Sequence, residues 1–294
     1  MAPLRLKHIH LSTPNSLLSS YIPYSLASRL QDQLRRELLD FKDSSSDDRP
    51  PPPTLISFSP KPIYTLGRRQ TTPLTEEESQ RLQAPLLFKD PRTGVVNLPV
   101  STEYSLRGGL VTYHGPGQVV LWPVIDLSSK GLYKQFTVRC YSRLLEDTTI
   151  STLDKLFGIK AEVTDDPGVW VENAKIAALG VHLRRHVSGL GTAINVDMDG
   201  SDKGDEGTNP WKRVVACGLE GKKVTSVREV LGGDVKQLDK MLGLKRMQAS
   251  RSAREEKVAD AWAKEFAERI GVEGVEKLGP IEVAKEVGFT EGSS

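Results

Sequence analysis

The 294-residue chain carries 40 basic against 38 acidic side chains, a net charge of +2, with 38% apolar and 27% charged residues. Such a balance supports a sizeable core in one large domain or two small ones, and it excludes the clustered basic excess that wrapping nucleic acid requires. Two cysteines, Cys140 and Cys217, are too few for a disulfide framework or a CxxC…CxxC zinc site, and no apolar run approaches the roughly 18 residues of a membrane-spanning helix.

Residues 1–31 lack acids and include Arg5, Lys7 and Arg29, a composition that suits a mitochondrial transit peptide. His8 and His10 alternate along an expected strand. From about residue 25, Leu26, Leu30, Leu34 and Leu38 recur at i+4 and predict a helix to about Lys42. Ser44–Pro53 is polar, ends in four prolines and reads as an exposed loop. Strands are expected at Thr54–Phe58 and Ile63–Leu66. Residues 71–90 carry a helical start, with Thr75 and Glu78 spaced as a capping box. Further strands are expected at Val95–Leu98, Thr102–Leu106 and Val119–Ile125, the last Val/Ile/Leu-rich and therefore buried. Tyr133–Phe157 reads as a long helix, with Cys140 as a small buried hydrophobe beside Val138 and Leu144. Val169–Val171, Ile176–Val181 and Thr192–Val196 read as strands, and Asp199–Asn209 as a Gly- and Asp-rich surface loop. Val258, Trp262, Phe266 and Ile270 form a second i+4 stripe, with Ser252 and Glu255 expected as its capping box. Strands mixed with helices without strict βαβ alternation predict an α/β (α+β) fold, a single domain with a mixed β-sheet flanked by helices.

The densest segment is Arg107–Gln118, RGGLVTYHGPGQ. Four glycines and a proline in twelve residues suit neither a helix nor a central strand. Glycine lets backbone approach a ligand closely, Arg107 can supply a bidentate donor, and His114 can exchange a proton near neutrality. On composition alone the segment is either a pair of tight turns joining strands or a substrate-facing loop.

RGGLVTYHGPGQ closely resembles the signature of the octanoyltransferases of lipoate biosynthesis. Lys175–Gly180 (KIAALG), Gly191–Val196 (GTAINV), Cys217-Gly218 and Thr65–Arg69 (TLGRR) resemble the same family in the right order. The resemblance spans roughly residues 8–240 and identifies them as the catalytic domain, leaving 241–294 as a C-terminal helical extension. Departures from the family pattern are the proline-rich loop, the insertion before Trp211, and Ala216 where a proline is common. The fold implied is that of the biotin/lipoyl protein ligase catalytic domain.

The activity implied is transfer of an octanoyl group from acyl carrier protein to a lysine of a lipoyl domain. Cys217 would carry the acyl group as a thioester, with Lys175 moving the protons. By the same resemblance Arg107, Gly108, Gly109, Leu110, Val111, Thr112, Tyr113 and His114 line the acyl site, with Ala178, Leu179, Gly180, Gly191, Thr192 and Ala193. Backbone amides near Leu179-Gly180 and Gly191–Ala193 are the candidate oxyanion donors. The expected partners are octanoyl-acyl carrier protein as donor, and the lipoyl domains of 2-oxo acid dehydrogenases and the glycine cleavage H protein as acceptors. No cofactor, metal, nucleic acid or membrane is expected. A monomer is expected, mitochondrial or otherwise cytoplasmic, with basic surface at Arg68, Arg69, Arg184 and Arg185 facing acidic partners. His182 and His186 share that surface and read as part of it. Two other readings stay open: an ATP-dependent lipoate or biotin protein ligase, which needs no cysteine, and a non-catalytic module that binds carrier protein or lipoyl domains.

Overall fold

In the computed structural model residues 3–12, 21–44, 49–90, 94–129, 133–214, 223–247 and 249–279 are described. The chain opens with β1 (Leu6–Leu11) and α1 (Tyr24–Asp43). Ala27, Leu30, Leu34 and Leu38 are buried along one face of α1, as the i+4 stripe requires. β2 (Thr54–Phe58) and β3 (Ile63–Leu66) are buried throughout. Next, α2 (Glu76–Gln83) starts at the expected capping box: Thr75 N–H donates to Glu78 Oε2 at 2.8 Å and Glu78 N–H to Thr75 Oγ1 at 3.2 Å. The helix ends at Gln83, well inside the 71–90 stretch that carries its start signal. Pro85 stops it, because proline drives the residue before it out of the helical region, and the chain continues as β4 (Leu86–Asp90), antiparallel to β5 (Gly94–Leu98).

β6 (Ser101–Tyr104), β7 (Val111–His114) and β8 (Gln118–Val124) lead to α3 (Val138–Phe157). α3 begins five residues later than expected, where the Thr137 hydroxyl accepts the Cys140 N–H at 3.2 Å. The expectation for Cys140 is corrected here. It is exposed in the first turn, because the buried face runs through Tyr141, Leu144, Leu145 and Thr148, starting one residue later. Then follow β9 (Val169–Val171), β10 (Ala174–Arg184), β11 (Val187–Asn195), a 3₁₀ turn at Pro210–Arg213, β12 (Lys223–Val224), α4 (Val227–Val230), α5 (Val235–Met241), α6 (Arg251–Ile270) and β13 (Val275–Lys277).

The main sheet runs β12-β10-β11-β8-β2-β1-β13, with β9 also on β10. It is mixed: β1 is parallel to β2 and β13, whereas β2, β8, β11 and β10 are successively antiparallel. A second sheet, β6-β3-β7, carries the middle of the glycine-rich segment, Val111–His114. α1 covers one face of the main sheet through Ile9, Ile56, Val120 and Trp122. α3 and α6 cover the other through Leu121, Ile176, Ile194, Trp262, Phe266 and Ile270. Each such side chain contributes about 1.5–3 kcal/mol by burial. The segment beyond residue 240 therefore supplies a wall of the central core.

The cap of α6 is corrected as well. Ser250, not Ser252, is the N-cap, its hydroxyl accepting the Ala253 N–H at 3.1 Å. Glu255 is freed from capping and turns inward, fully buried, to accept the Gly117 N–H at 2.6 Å and to meet the Ser59 hydroxyl. Burial raises its pKa from 4.5 to about 7. The folded carboxyl therefore holds its proton more tightly than the unfolded one. The stability this confers is complete below about pH 4.5 and is lost as pH rises to about 7, a span of about 3 kcal/mol. Glu255→Gln keeps the shape and removes the ionisation, so urea midpoints measured between pH 4.5 and 7.5 flatten in the variant. An unchanged slope would show that Glu255 is not the titrating group.

Candidate active site

The glycine-rich segment is built by pairing with Thr65–Arg69. Gly67 N–H donates to Leu110 O at 3.1 Å, Arg68 N–H to Arg107 O at 3.0 Å and Arg69 N–H to Gly109 O at 3.1 Å. A Cβ at Gly67 would stand 2.4 Å from Gly109 O, so only glycine allows this approach. Gly109 has φ +83° and turns the chain into β7.

Arg107 is buried and held in place. Its Nε and Nη2 donate to Thr65 Oγ1 at 3.1 and 2.9 Å, Nη2 donates to Thr65 O at 2.6 Å, and Nη1 donates to Gly108 O at 2.9 Å. Its stem lies against Gly180, where a Cβ would stand 3.1 Å from both Cβ and Cδ of the arginine. Gly180 pairs with Gly191, and Ala178 with Ala193, across β10 and β11. Directly opposed residues share a face, so these four form a floor of minimal side chains beneath the arginine. Thr192 Oγ1 donates to Ala178 O at 3.0 Å and ties the two strands together.

The floor narrows the choice of oxyanion donors. At Thr192 and Ala193, β11 has β10 on one side and β8 on the other, so their amides are directed into ladders. This removes Thr192 and Ala193 from the expected set. β10 pairs with β9 only as far as Ala177, and from Ala178 onward β11 is its one strand neighbour among the described residues. The Leu179-Gly180 backbone stays a candidate.

Along β7 the side chains alternate. Val111 and Tyr113 turn into a core with Tyr64 and Trp211, and Tyr113 is fully packed there, 5.2 Å and 5.7 Å from those rings. Thr112 and His114 take the other face. His114 stacks on Tyr24 at 5.7 Å, and its Nδ1 is 2.7 Å from Gln118 Oε1. Burial lowers its pKa to about 4, so it is neutral near pH 7. From Gln118 a chain of contacts crosses the sheet. Gln118 Nε2 donates to Asn195 Oδ1 at 2.9 Å, Asn195 Nδ2 donates to Thr225 O at 2.9 Å, and Thr225 N–H donates to Lys175 O at 3.0 Å. His114 and Lys175 are thus held by one hydrogen-bonded line.

Lys175 Nζ donates to Pro167 O at 3.0 Å and lies 4.7 Å from the Trp170 ring centroid, its register partner on β9. On its other side Lys175 pairs with Val224 of β12. Cys217 and Gly218 fall in 215–222, outside the described residues. Both flanks of that segment are anchored. On one side, the Arg213 guanidinium donates to Glu206 O at 2.6 Å and Pro85 O at 2.9 Å. On the other, Lys223 and Val224 pair with Ala174 and Lys175. The insertion before Trp211 is likewise pinned, by Asn209 Nδ2 donating to Gly200 O and Lys203 O, both at 2.6 Å.

Thr65, Gln118, Asn195 and Trp170 were not singled out by sequence. Three of them lie inside the motifs (TLGRR, RGGLVTYHGPGQ, GTAINV), and their polarity within apolar or glycine-rich strands is the signal that marks them. At the basic surface Arg68, Arg69 and Arg184 are exposed, while Arg185 makes a two-pronged pair with Asp43 at 2.8 and 2.7 Å.

Thr65→Val preserves shape and removes two acceptor contacts from a buried guanidinium. Denaturant unfolding will show a loss of about 1–3 kcal/mol, and a loss below about 0.3 kcal/mol would remove Thr65 as the anchor of Arg107.

The family model for the lipoyl protein ligase A/B catalytic domain matches residues 29–266. A Schizosaccharomyces pombe protein named "Probable octanoyltransferase" is 36% identical over 243 residues, covering 81% of this chain and 94% of its own. The mitochondrial octanoyl-acyl-carrier-protein:protein N-octanoyltransferase of Danio rerio is 38% identical over 215 residues, covering 73% and 81%. Among solved structures, protein Ta0514 from T. acidophilum superposes with a TM-score of 0.52 at 14% identity, covering 97% of this chain and 93% of that one. P. falciparum LipL1 in complex with lipoate gives 0.50 at 11%, covering 97% and 70%.

Proposed function

The chain belongs to the lipoyl protein ligase A/B catalytic-domain family and is an octanoyltransferase, and from that premise we propose that it moves octanoyl groups from acyl carrier protein to lipoyl-domain lysines through a thioester on Cys217. The observation that carries this is the placement of Lys175. Its neighbour across the sheet is Val224, and Cys217 stands six residues before Lys223, within about 20 Å of it by chain length alone.

A free thiol has a pKa of about 8.5 and is mostly protonated near neutrality. A lysine ammonium close by favours the thiolate. In the first half-reaction the Cys217 thiolate attacks the thioester carbonyl, the bond to the carrier sulfur breaks, and the Lys175 ammonium gives its proton to the departing thiolate. Lys175 is then neutral. In the second, the acceptor amine attacks the Cys217 thioester and Lys175 takes a proton from it. The bond to Sγ breaks and the thiolate returns. The product is an amide, and each atom and proton is accounted for without ATP.

Arg107 holds the glycine-rich loop over the floor of Gly180, Gly191, Ala178 and Ala193, where the reacting carbonyl would rest. At the open edge of Leu179-Gly180, where successive amides point to opposite sides, one N–H is directed outward and is offered to the oxyanion. Neutral His114 acts in positioning, since its lowered pKa leaves it unprotonated at working pH. Acidic carrier and lipoyl partners suit the exposed Arg68, Arg69 and Arg184. The Danio rerio relative is named as mitochondrial, and a mitochondrial site of action is proposed for this chain too.

The test is intact-mass spectrometry of wild type and Cys217→Ser mixed with octanoyl-acyl carrier protein, without ATP. A hydroxylamine-labile octanoyl adduct is expected on wild type only. An adduct on neither protein, with ATP-dependent use of free octanoate instead, would overturn the thioester route in favour of an adenylating ligase.

A further inference from the structure

Away from the acyl floor, α1 and the β10–β11 hairpin enclose a group of buried side-chain nitrogens that lack hydrogen-bond partners among the described residues. Gln31 and Arg35 lie one turn apart on α1. Gln31 Oε1 accepts the Leu190 N–H at 3.1 Å, while its Nε2 is buried with no hydrogen-bond partner. Arg35 is only 7% exposed, and its Nε and Nη2 are likewise buried without partners. It lies flat on Gly189, where a Cβ would stand 3.0 Å from Nε and 3.1 Å from the guanidinium carbon. Its nearby carboxylate, Asp32, is 3.6 Å away and mostly exposed.

His182 is the register partner of Gly189, so it shares the face on which Arg35 rests. Its Nδ1 is also buried and unpartnered. The charges of Arg35, Arg68 and Arg184 all bear on His182, and Asp32 opposes them. Arg184 follows two residues along the same face of β10.

Leaving a guanidinium out of water without acceptors is costly, and gathering three cations adds repulsion. Folded proteins satisfy nearly all buried donors. An anion with several oxygens would answer all of these deficits at once, through charge-assisted hydrogen bonds to planar guanidinium groups.

We propose that Gln31, Arg35, Arg68, His182 and Arg184 form a site for a phosphate-class oxyanion, and that its occupant is the phosphodiester on the prosthetic arm of the donor carrier protein. The assignment rests on the carrier-protein donor of the reading above. Position supports it. Gly180, beneath Arg107, precedes His182 by two residues on the same face, about 7 Å. Lys175 is seven residues before His182, about 23 Å along the strand. An arm laid along β10, with its thioester between Lys175 and the Ala178 end of the floor, carries its phosphate toward His182.

The experiment compares octanoyl-phosphopantetheine with octanoyl-pantetheine as donors to a lipoyl domain, using the full chain. Wild type should show a KM about tenfold lower for the phosphorylated donor. Arg35→Gln should bring that ratio close to one. Arg184→Gln, altered at an exposed position that spares the fold, should reduce it in part. Inorganic phosphate should compete with the phosphorylated donor only. Equal KM values in wild type, or ratios unchanged in both variants, would overturn the site. Inorganic phosphate that binds wild type but not Arg35→Gln, with no donor preference, would reassign the site to a free anion and overturn the carrier-arm assignment. Failure of octanoyl-acyl carrier protein itself as a donor would overturn the underlying reading separately.

Discussion

β11 is squeezed so closely against its neighbours that no side chain fits at Gly191. A Cβ there would stand 2.2 Å from Leu121 O and 2.9 Å from Pro123 Cδ. Much of the site follows from that closeness. Along nine residues the strand supplies Gly189 for Arg35 to lie on, Gly191 and Ala193 for the floor, Thr192 as the tie to β10 and Asn195 as the middle of the line from His114 to Lys175. A larger residue at Gly191 would move all of these together, since main-chain ladders on both sides fix the strand as a unit.

The end of β11 is secured by charge. Asp197, 3% exposed, meets Arg228 at 3.0 Å, Arg251 at 3.2 Å and Arg254 at 2.8 Å, and Arg254 reaches on to Asp239 at 2.6 Å. One carboxylate thereby gathers α4 and α6, and through Arg254 also α5. Buried ion clusters of this kind add little net stability, because desolvation offsets the attraction. What they specify is arrangement: any other seating of α6 would strand Asp197 without its cations. Gly117 sits at the same junction, its carbonyl accepting the N–H groups of Val196 and Asp197 at 2.8 and 2.9 Å and its own N–H engaged by Glu255. The glycine-rich segment is thus fixed from the C-terminal side of the chain as well as by Thr65.

The two long stripes, Leu26–Leu38 and Val258–Ile270, were legible because helical period and burial coincide in them. The motif residues were legible because Gly67 lies too close to the Gly109 carbonyl for a Cβ, Gly109 has a positive φ, and Gly180 leaves room for the Arg107 stem. β4 was hidden because α2 and β4 are joined by only two residues, and a capping signal at Thr75 says where a helix starts, not where it stops. Cys140 was misread for a related reason: a one-residue phase error on a helix exchanges inside for outside. Glu255 was spaced as a capping partner for Ser252, and only the three-dimensional neighbourhood reveals Gly117 and Ser59 as its true partners. The unsatisfied donors of Arg35 and Gln31 leave no trace in sequence, since an arginine on an amphipathic helix ordinarily reads as solvated surface.

β13 lies beside β1, with Val275 in register against Leu6 and Lys277 against His8. Pairing between partners so far apart in the chain carries a large loop-closure cost and is disfavoured early in folding. Without β13, β1 has one edge covered by β2 and the other bare, and an uncovered strand edge is a template for mispairing. Any folding intermediate in which β13 has not yet docked therefore carries that edge open, and deletion of residues 275–277 would leave it open in the folded protein.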